Sequence, residues 1–224
     1  MRILVLFLVV TLLDAAAGWS SGKDDAAREV LDRYLGSARE SRGIDGEARQ
    51  FVIDASLPRM HKQGGVRGLK LISGAGRVVF TELHFVGDDV IKRAVLARFL
   101  SAEANADPAG EDLGVTRRNY RFHYKGNADY NGRTAFVFRT VPTRRLAGLF
   151  RGELWLDAET ARPLREWGQF VKSPSVFLSD IYFVRDYVPD GPESSPRRTI
   201  LKLRVAFAGP VELTMWLDEP PAAF

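Results

Sequence analysis

Two hydrophobic periods divide the chain. Between Asp24 and Glu40, Ala27, Val30, Leu31, Tyr34, Leu35 and Ala38 recur at helical spacing and make one apolar stripe. Asp24 and Asp25 suit the start of that helix and Gly43 its end. From Gln50 the period falls to two. Phe51, Ile53, Ala55 and Leu57 alternate with Val52, Asp54 and Ser56 until Pro58. Val66 to Ser73 and Arg77 to Val86 predict two further strands, joined at Gly74-Ala75-Gly76 as a hairpin. Gly87-Asp88-Asp89 then opens a second helix, Val90 to Ala104, with Ile91, Ala94, Val95 and Phe99 on one side and Leu96 and Leu100 widening the stripe. Ala106 to Gly114 reads as a polar linker.

After Thr116 the chain is strand and turn. Tyr120, Phe122 and Tyr124 alternate with Arg121, His123 and Lys125, and Asn127 to Gly132 reads as a turn. Further strands are predicted over Arg133–Pro142, Leu149–Asp157, Pro163–Ser173, Ser179–Val188, Arg197–Ala208 and Val211–Asp218, with turns at Pro189–Pro192 and Gly209-Pro210. This makes about ten strands in an antiparallel meander and two helices.

Leu201, Leu203, Val205 and Phe207 oppose Lys202, Arg204 and Ala206, and Val211, Leu213, Met215 and Leu217 oppose Glu212, Thr214 and Asp218. One sheet face is therefore wet and the other must be covered. Two helices of about 16 residues, roughly 24 Å each, cannot tile ten strands spaced about 4.8 Å apart on a flat sheet. The sheet is expected to curve around them. The predicted fold is α+β, mainly antiparallel β: an unclosed half β-barrel with two helices covering its concave face. Any part of that face left uncovered would be an apolar pocket. Alternation draws its wall from Phe136, Phe138, Leu154, Leu156, Ile181, Phe183, Leu201, Leu203, Leu213 and Met215, with Val95 and Phe99 from the second helix acting as a movable lid. Strand Arg133–Thr140 is the hardest to phase, because Val137 competes with its neighbours.

Residues 1–17, MRILVLFLVVTLLDAAA, have the form of a signal peptide: Arg2, an apolar run from Ile3 to Leu13, then small residues at Ala15–Ala17. The run is shorter than the ~20 residues a spanning helix needs. The expected division is 1–17 signal peptide, 18–219 a single domain and 220–224 a C-terminal tail, with the exported product periplasmic. Of the 224 residues none is cysteine, which excludes disulfides, thiolate metal sites, a cysteine nucleophile and a lipid-anchored cysteine. A net charge of +4 is spread over interspersed acids and bases and names no partner.

Phe150-Arg151-Gly152-Glu153-Leu154-Trp155-Leu156-Asp157-Ala158-Glu159-Thr160 resembles a strand and turn of the outer-membrane lipoprotein-sorting family, the LolA/LolB/RseB-like periplasmic lipoprotein carriers. Pro163-Leu164-Arg165, Lys172 to Phe177, Phe183 to Tyr187 and Glu212 to Met215 continue the likeness, as does the element order. The resemblance implies an unclosed antiparallel barrel with helical lids, an apolar concavity for acyl chains, and no enzyme. It implies a soluble carrier or chaperone for the acyl chains of a lipoprotein or lipid. The alternative is a sensor or interaction domain in envelope-stress signalling, with an envelope protein as partner. The chain departs from the carriers in the extra turn Pro189–Pro196, and it has no lipobox.

No catalytic residue, cofactor or metal is predicted. His84 and His123 lack a spaced third ligand. Asp157 and Glu159 flank a turn, and Asp88-Asp89 a helix start. Gly74-Ala75-Gly76 joins strands and does not open a helix, so it is no phosphate loop. Trp155, Trp167, Phe170, Tyr182 and Trp216 read singly as ordinary sheet packing; the alternative is a lipid-facing wall, and on a curved sheet some of them are expected to line the cavity. Arg117-Arg118, Arg144-Arg145 and Arg197-Arg198 read as loop charges. No basic stripe interleaved with aromatics is evident, so nucleic acid is not an expected partner. A membrane β-barrel is disfavoured by Pro220-Pro221 before Phe224 and by one charged face on each strand.

Overall fold

The protein is described from a computed structural model that covers residues 15–40, 48–72, 78–105, 113–173, 176–188, 196–206 and 209–218. The turns expected at 74–76 and 189–192, most of the linker at 106–114, Phe207 and the tail at 220–224 lie outside these residues, as do residues 1–14. In chain order the elements are α1 (Ala15–Glu40), β1 (Arg49–Leu57), β2 (Lys62–Ile72), β3 (Val78–Gly87), a π-helical stretch Ile91–Leu96 running into α2 (Ala97–Ala104), β4 (Tyr120–Tyr130), β5 (Arg133–Pro142), β6 (Phe150–Asp157), β7 (Pro163–Phe170), β8 (Leu178–Tyr187), β9 (Pro196–Val205) and β10 (Gly209–Leu217).

All ten strands form one antiparallel sheet in the order β3-β2-β1-β10-β9-β8-β7-β6-β5-β4. The first strand pairs with the last, and β3 and β4 are left as the two edges. The result is the expected unclosed half-barrel with helices on one face. Cross-strand rows such as Phe138↔Leu154 and Phe183↔Leu201 set the inward face. The expected phase holds on every strand of the wall.

Three boundaries differ from expectation. Helix α1 is already formed at Ala15, the first described residue, nine residues before Asp24. Asp25 therefore stands inside the helix, paired with Arg28 at 3.1 Å, and does not cap it. Strand β4 runs on through Asn127 to Tyr130, where a turn was expected. A bulge between Tyr124 and Gly126 resets its register, and Asn131-Gly132 alone make the reversal. Both turn residues have positive φ, the mirror-image geometry that favours Asn-Gly. Gly209-Pro210 belong to β10, paired with Val205 and Arg204, so the reversal lies before them. Proline is tolerated there because it opens the strand. The second helix is capped as expected, its Asp88 carboxylate accepting from Val90 N at 2.7 Å. Its first turns are π-helical, with Ile91, Val95 and Leu96 all buried.

Candidate functional site

The concave face holds two apolar lobes. In the first, Ala27, Val30, Leu31, Tyr34 and Leu35 of α1 press onto Phe136 and Phe138 of β5, Leu154 and Leu156 of β6, and Ala161. In the second, Ile91, Val95, Leu96 and Leu100 share one buried cluster with Phe51, Ile53, Val66, Ile181, Phe183, Leu201, Leu203, Leu213 and Met215, the helix lying against β1, β2 and β3. The half-buried Val115 and Phe122 touch both lobes.

The expected wall is thus divided. Phe136, Phe138, Leu154 and Leu156 lie under α1; Ile181, Phe183, Leu201, Leu203, Leu213 and Met215 lie with Val95 in the second lobe, with Phe99 half-buried against them. All ten strand residues are buried. Buried helix side chains belong to the same two clusters. Both helices were expected over this face, with cavity residues named only on the second; α1 contributes five buried side chains of its own to the first lobe.

A polar bar crosses the apolar floor, and apolar alternation alone did not reveal it. Leu154, Glu166, Arg185, Thr199 and Met215 form one cross-strand row. Glu166 is 2% exposed, and Arg185 Nη1 donates to its Oε2 at 3.1 Å. Tyr187, two residues on, lies close enough to the same carboxylate to feel its charge. Burial, reinforced by Glu166, holds the Tyr187 hydroxyl well above the ordinary phenol range. Desolvation opposes the charge on Arg185, but Glu166 together with Tyr187 and Tyr120 outweighs it and raises its affinity for the proton. The Tyr120 hydroxyl, raised by burial, accepts from Phe150 N nearby. Thr140 is 0% exposed, and its Oγ1 has no hydrogen-bond partner among the described residues. Strand parity was the signal for the bar: Arg185 and Tyr187 continue the phase of Phe183, and Glu166 that of Leu164.

The remaining candidates fall elsewhere. His84 sits on β3 and His123 on β4, the two opposite edges of the sheet. No group of three or more metal-ligating side chains occurs among the described residues. Asp157 accepts from Glu159 N and Thr160 N at 2.9 Å and from Arg133 at 3.1 Å, so it organises the β6–β7 turn. Among the described residues no helix is long and apolar enough to cross a membrane. A shallow polar depression between Asp25, Arg28, Glu29, Asp32 and Arg33 is solvated surface of α1.

No protein-family model matches the chain, and no curated protein matches its sequence. Among solved structures it is similar to the LolA superfamily protein NE2245 from Nitrosomonas europaea, at 15% identity over 87% of this chain and 94% of that one, with a TM-score of 0.41. It is similar to an outer membrane lipoprotein-sorting protein domain from Vibrio parahaemolyticus, at 12% identity over 86% and 92%, with a TM-score of 0.44. It is also similar to the MucA/MucB complex of Pseudomonas aeruginosa, at 13% identity over 88% and 94%, with a TM-score of 0.25. At such TM-scores the likeness is loose, and function is argued from this chain's own residues.

Proposed function

We propose that the protein is an exported, non-enzymatic carrier or chaperone that shields the acyl chains of a lipoprotein or lipid on its concave face, in the periplasm, after removal of residues 1–17. The supporting observation is the division of that face into two apolar lobes, each roofed by a helix. Phe136, Phe138, Leu154 and Leu156 in one, and Ile181, Phe183, Leu201, Leu203, Leu213, Met215, Val95 and Phe99 in the other, are the proposed acyl contacts. In the closed state helix side chains fill this space, so a ligand has to displace a helix. The magnitudes allow it. Val30, Leu31, Tyr34 and Leu35 gain about 2 kcal/mol each on burial, about 8 in all. A chain of about fourteen methylenes gains about 0.8 kcal/mol per methylene, about 11 in all. One acyl chain therefore offsets the apolar contacts α1 gives up.

The test is titration of the delipidated protein with a fluorescent fatty acid, comparing the native chain with Leu154→Glu and Arg204→Glu. Saturable binding that is lost only in the folded Leu154→Glu protein supports the carrier. Absence of binding in the native chain, with a stable protein partner retrieved free of lipid, would replace it with the sensor reading.

A further inference from the structure

The convex face of β4 to β8 is not the uniformly wet surface that strand alternation suggests. Trp167 is 42% exposed and Tyr182 51% exposed. They stand on neighbouring strands, Trp167 opposite Glu153 and Tyr182 opposite Gln169. Glu153 is 9% exposed and anchors the patch from beneath. Its Oε2 accepts from the indole Nε1 of Trp155 at 3.1 Å and of Trp167 at 3.0 Å, and its Oε1 from Lys125 Nζ at 2.5 Å. Both indole N–H groups are thus satisfied within the protein. The exposed ring of Trp167 can leave water without stranding a donor, which removes the usual cost of burying an indole.

Around these rings the surface is basic. Arg121 on β4, Arg139 on β5 and Arg151 on β6 are exposed, and none makes an ion pair with a carboxylate among the described residues. Arg139 lies opposite Glu153, His123 opposite Arg139, and Arg151 opposite Gln169. The cations nearer β9 are neutralised: Lys202 by Glu212 at 2.9 Å and Arg204 by Asp180 at 3.4 Å. Uncompensated charge is therefore concentrated where the aromatic rings are. A guanidinium matches phosphate geometry in a way an ammonium does not.

We propose that this convex patch, Trp167 and Tyr182 within Arg121, Arg139 and Arg151, docks the protein on an anionic phospholipid surface. Charge complementarity selects an anionic partner. The backbone pairing selects a fluid one. The patch lies mostly on interior strands whose backbone groups are already paired, so apart from the β4 edge it offers a peptide no strand to pair with. Headgroups that move laterally can gather under such a surface, with the rings entering the headgroup boundary. The concave face is left free, so docking and acyl binding use opposite faces of one sheet.

The test is co-sedimentation of the full chain with phosphatidylcholine vesicles, with and without phosphatidylglycerol. The readout is the increment that phosphatidylglycerol adds, which apolar insertion of residues 3–13 does not supply. The increment is expected to vanish at high salt. It is expected to fall about fivefold in Arg139→Gln, about fivefold in Arg151→Gln and further in the double variant. Trp167→Ala lowers it as well, and all these variants still bind a soluble fatty acid as the native chain does. The proposal is overturned if phosphatidylglycerol adds nothing, or if the double variant keeps the full increment. It is also overturned if the concave variant Leu154→Glu loses the increment while the arginine variants keep it, or if the arginines govern binding to a polyglutamate peptide but not to vesicles. Failure of fatty-acid binding with the increment intact would fault the carrier reading alone.

Discussion

The two helices cover similar apolar floors but are fixed to them differently. The π-helical stretch and α2 are tied to the sheet by Lys62–Asp88 at 3.2 Å and by the ion pair of Lys70 with Glu103, and Ile91 and Leu96 are fully buried beneath them. Helix α1 lies on β5 and β6 through five apolar side chains. Two of its polar ties run to surface groups: Arg33 donates to Glu159 O at 3.2 Å, and Asp32 pairs with Arg117. Exposed ties of that kind contribute little. The pairs that fasten the second helix are partly buried, whereas the Asp32–Arg117 pair and the Arg33 contact of α1 lie on the surface. We therefore assign α1, and not the second helix, as the part that moves when a ligand enters.

The largest expected effects come from charge placed on the floor. Leu203→Glu buries an unpaired carboxylate in the second lobe and should cost several kcal/mol, or prevent folding. Arg204→Glu, one residue along on the wet face, loses only an exposed pair and should shift stability by about 0.5 kcal/mol. Thermal melts of the two variants decide it; a larger loss in Arg204→Glu means the faces have been exchanged.

Next in size is the polar bar. Glu166→Gln leaves the Arg185 charge without its partner and should destabilise by about 3 kcal/mol, read by urea unfolding. The paired change Glu166→Leu with Arg185→Met should recover most of that, because an apolar pair removes both desolvation costs. If the double variant is as unstable as the single, the bar has a structural role beyond the ion pair.

A smaller effect separates the two helices. Native-state hydrogen exchange should show the α1 amides opening well before those of Ile91–Ala104, by about tenfold or more in rate if the difference is about 1.4 kcal/mol. Equal protection of both helices would remove the distinction.

The smallest expected effect is on the convex face and depends on pH. Burial raises the Glu153 carboxyl, but Lys125 and the two indoles outweigh it and hold it below the usual carboxylate range. A depressed folded value stabilises the protein above the unfolded value, and that contribution is lost as pH falls through the folded one. The acid limb of stability below about pH 4.5 should flatten in Glu153→Gln. An unchanged acid limb would show that the carboxylate contributes nothing there.

Most of the floor was legible because alternation marks both faces at once. In β9 and β10, Lys202, Arg204 and Glu212 fix the outside, so Leu201, Leu203 and Leu213 could face only inward. Even the ambiguous β5 resolved to the expected phase. Val137 is buried on the outer side opposite Trp155, which makes both faces of that strand apolar. The bar was missed because a search for apolar wall residues passes over Glu166 and Arg185, although their parity is plain. That α1 covers the concave face was expected, but not that it covers β5 and β6, because a helical stripe shows that a face is buried without saying on which strands. The convex patch was missed because its arginines come from three strands and meet only in the folded sheet.

The central claim is that acyl chains enter the concave face beneath α1. A fatty acid carrying a photoreactive group at its methyl end, bound to the native chain and cross-linked, reports the site by peptide mass spectrometry. The account predicts labels on α1 and on the β5–β6 peptides containing Phe136, Phe138, Leu154 and Leu156, with α1 amides exchanging faster in the complex than in the free protein. Labels confined to the convex strand residues around Trp167 and Tyr182, with α1 protection unchanged, would contradict it.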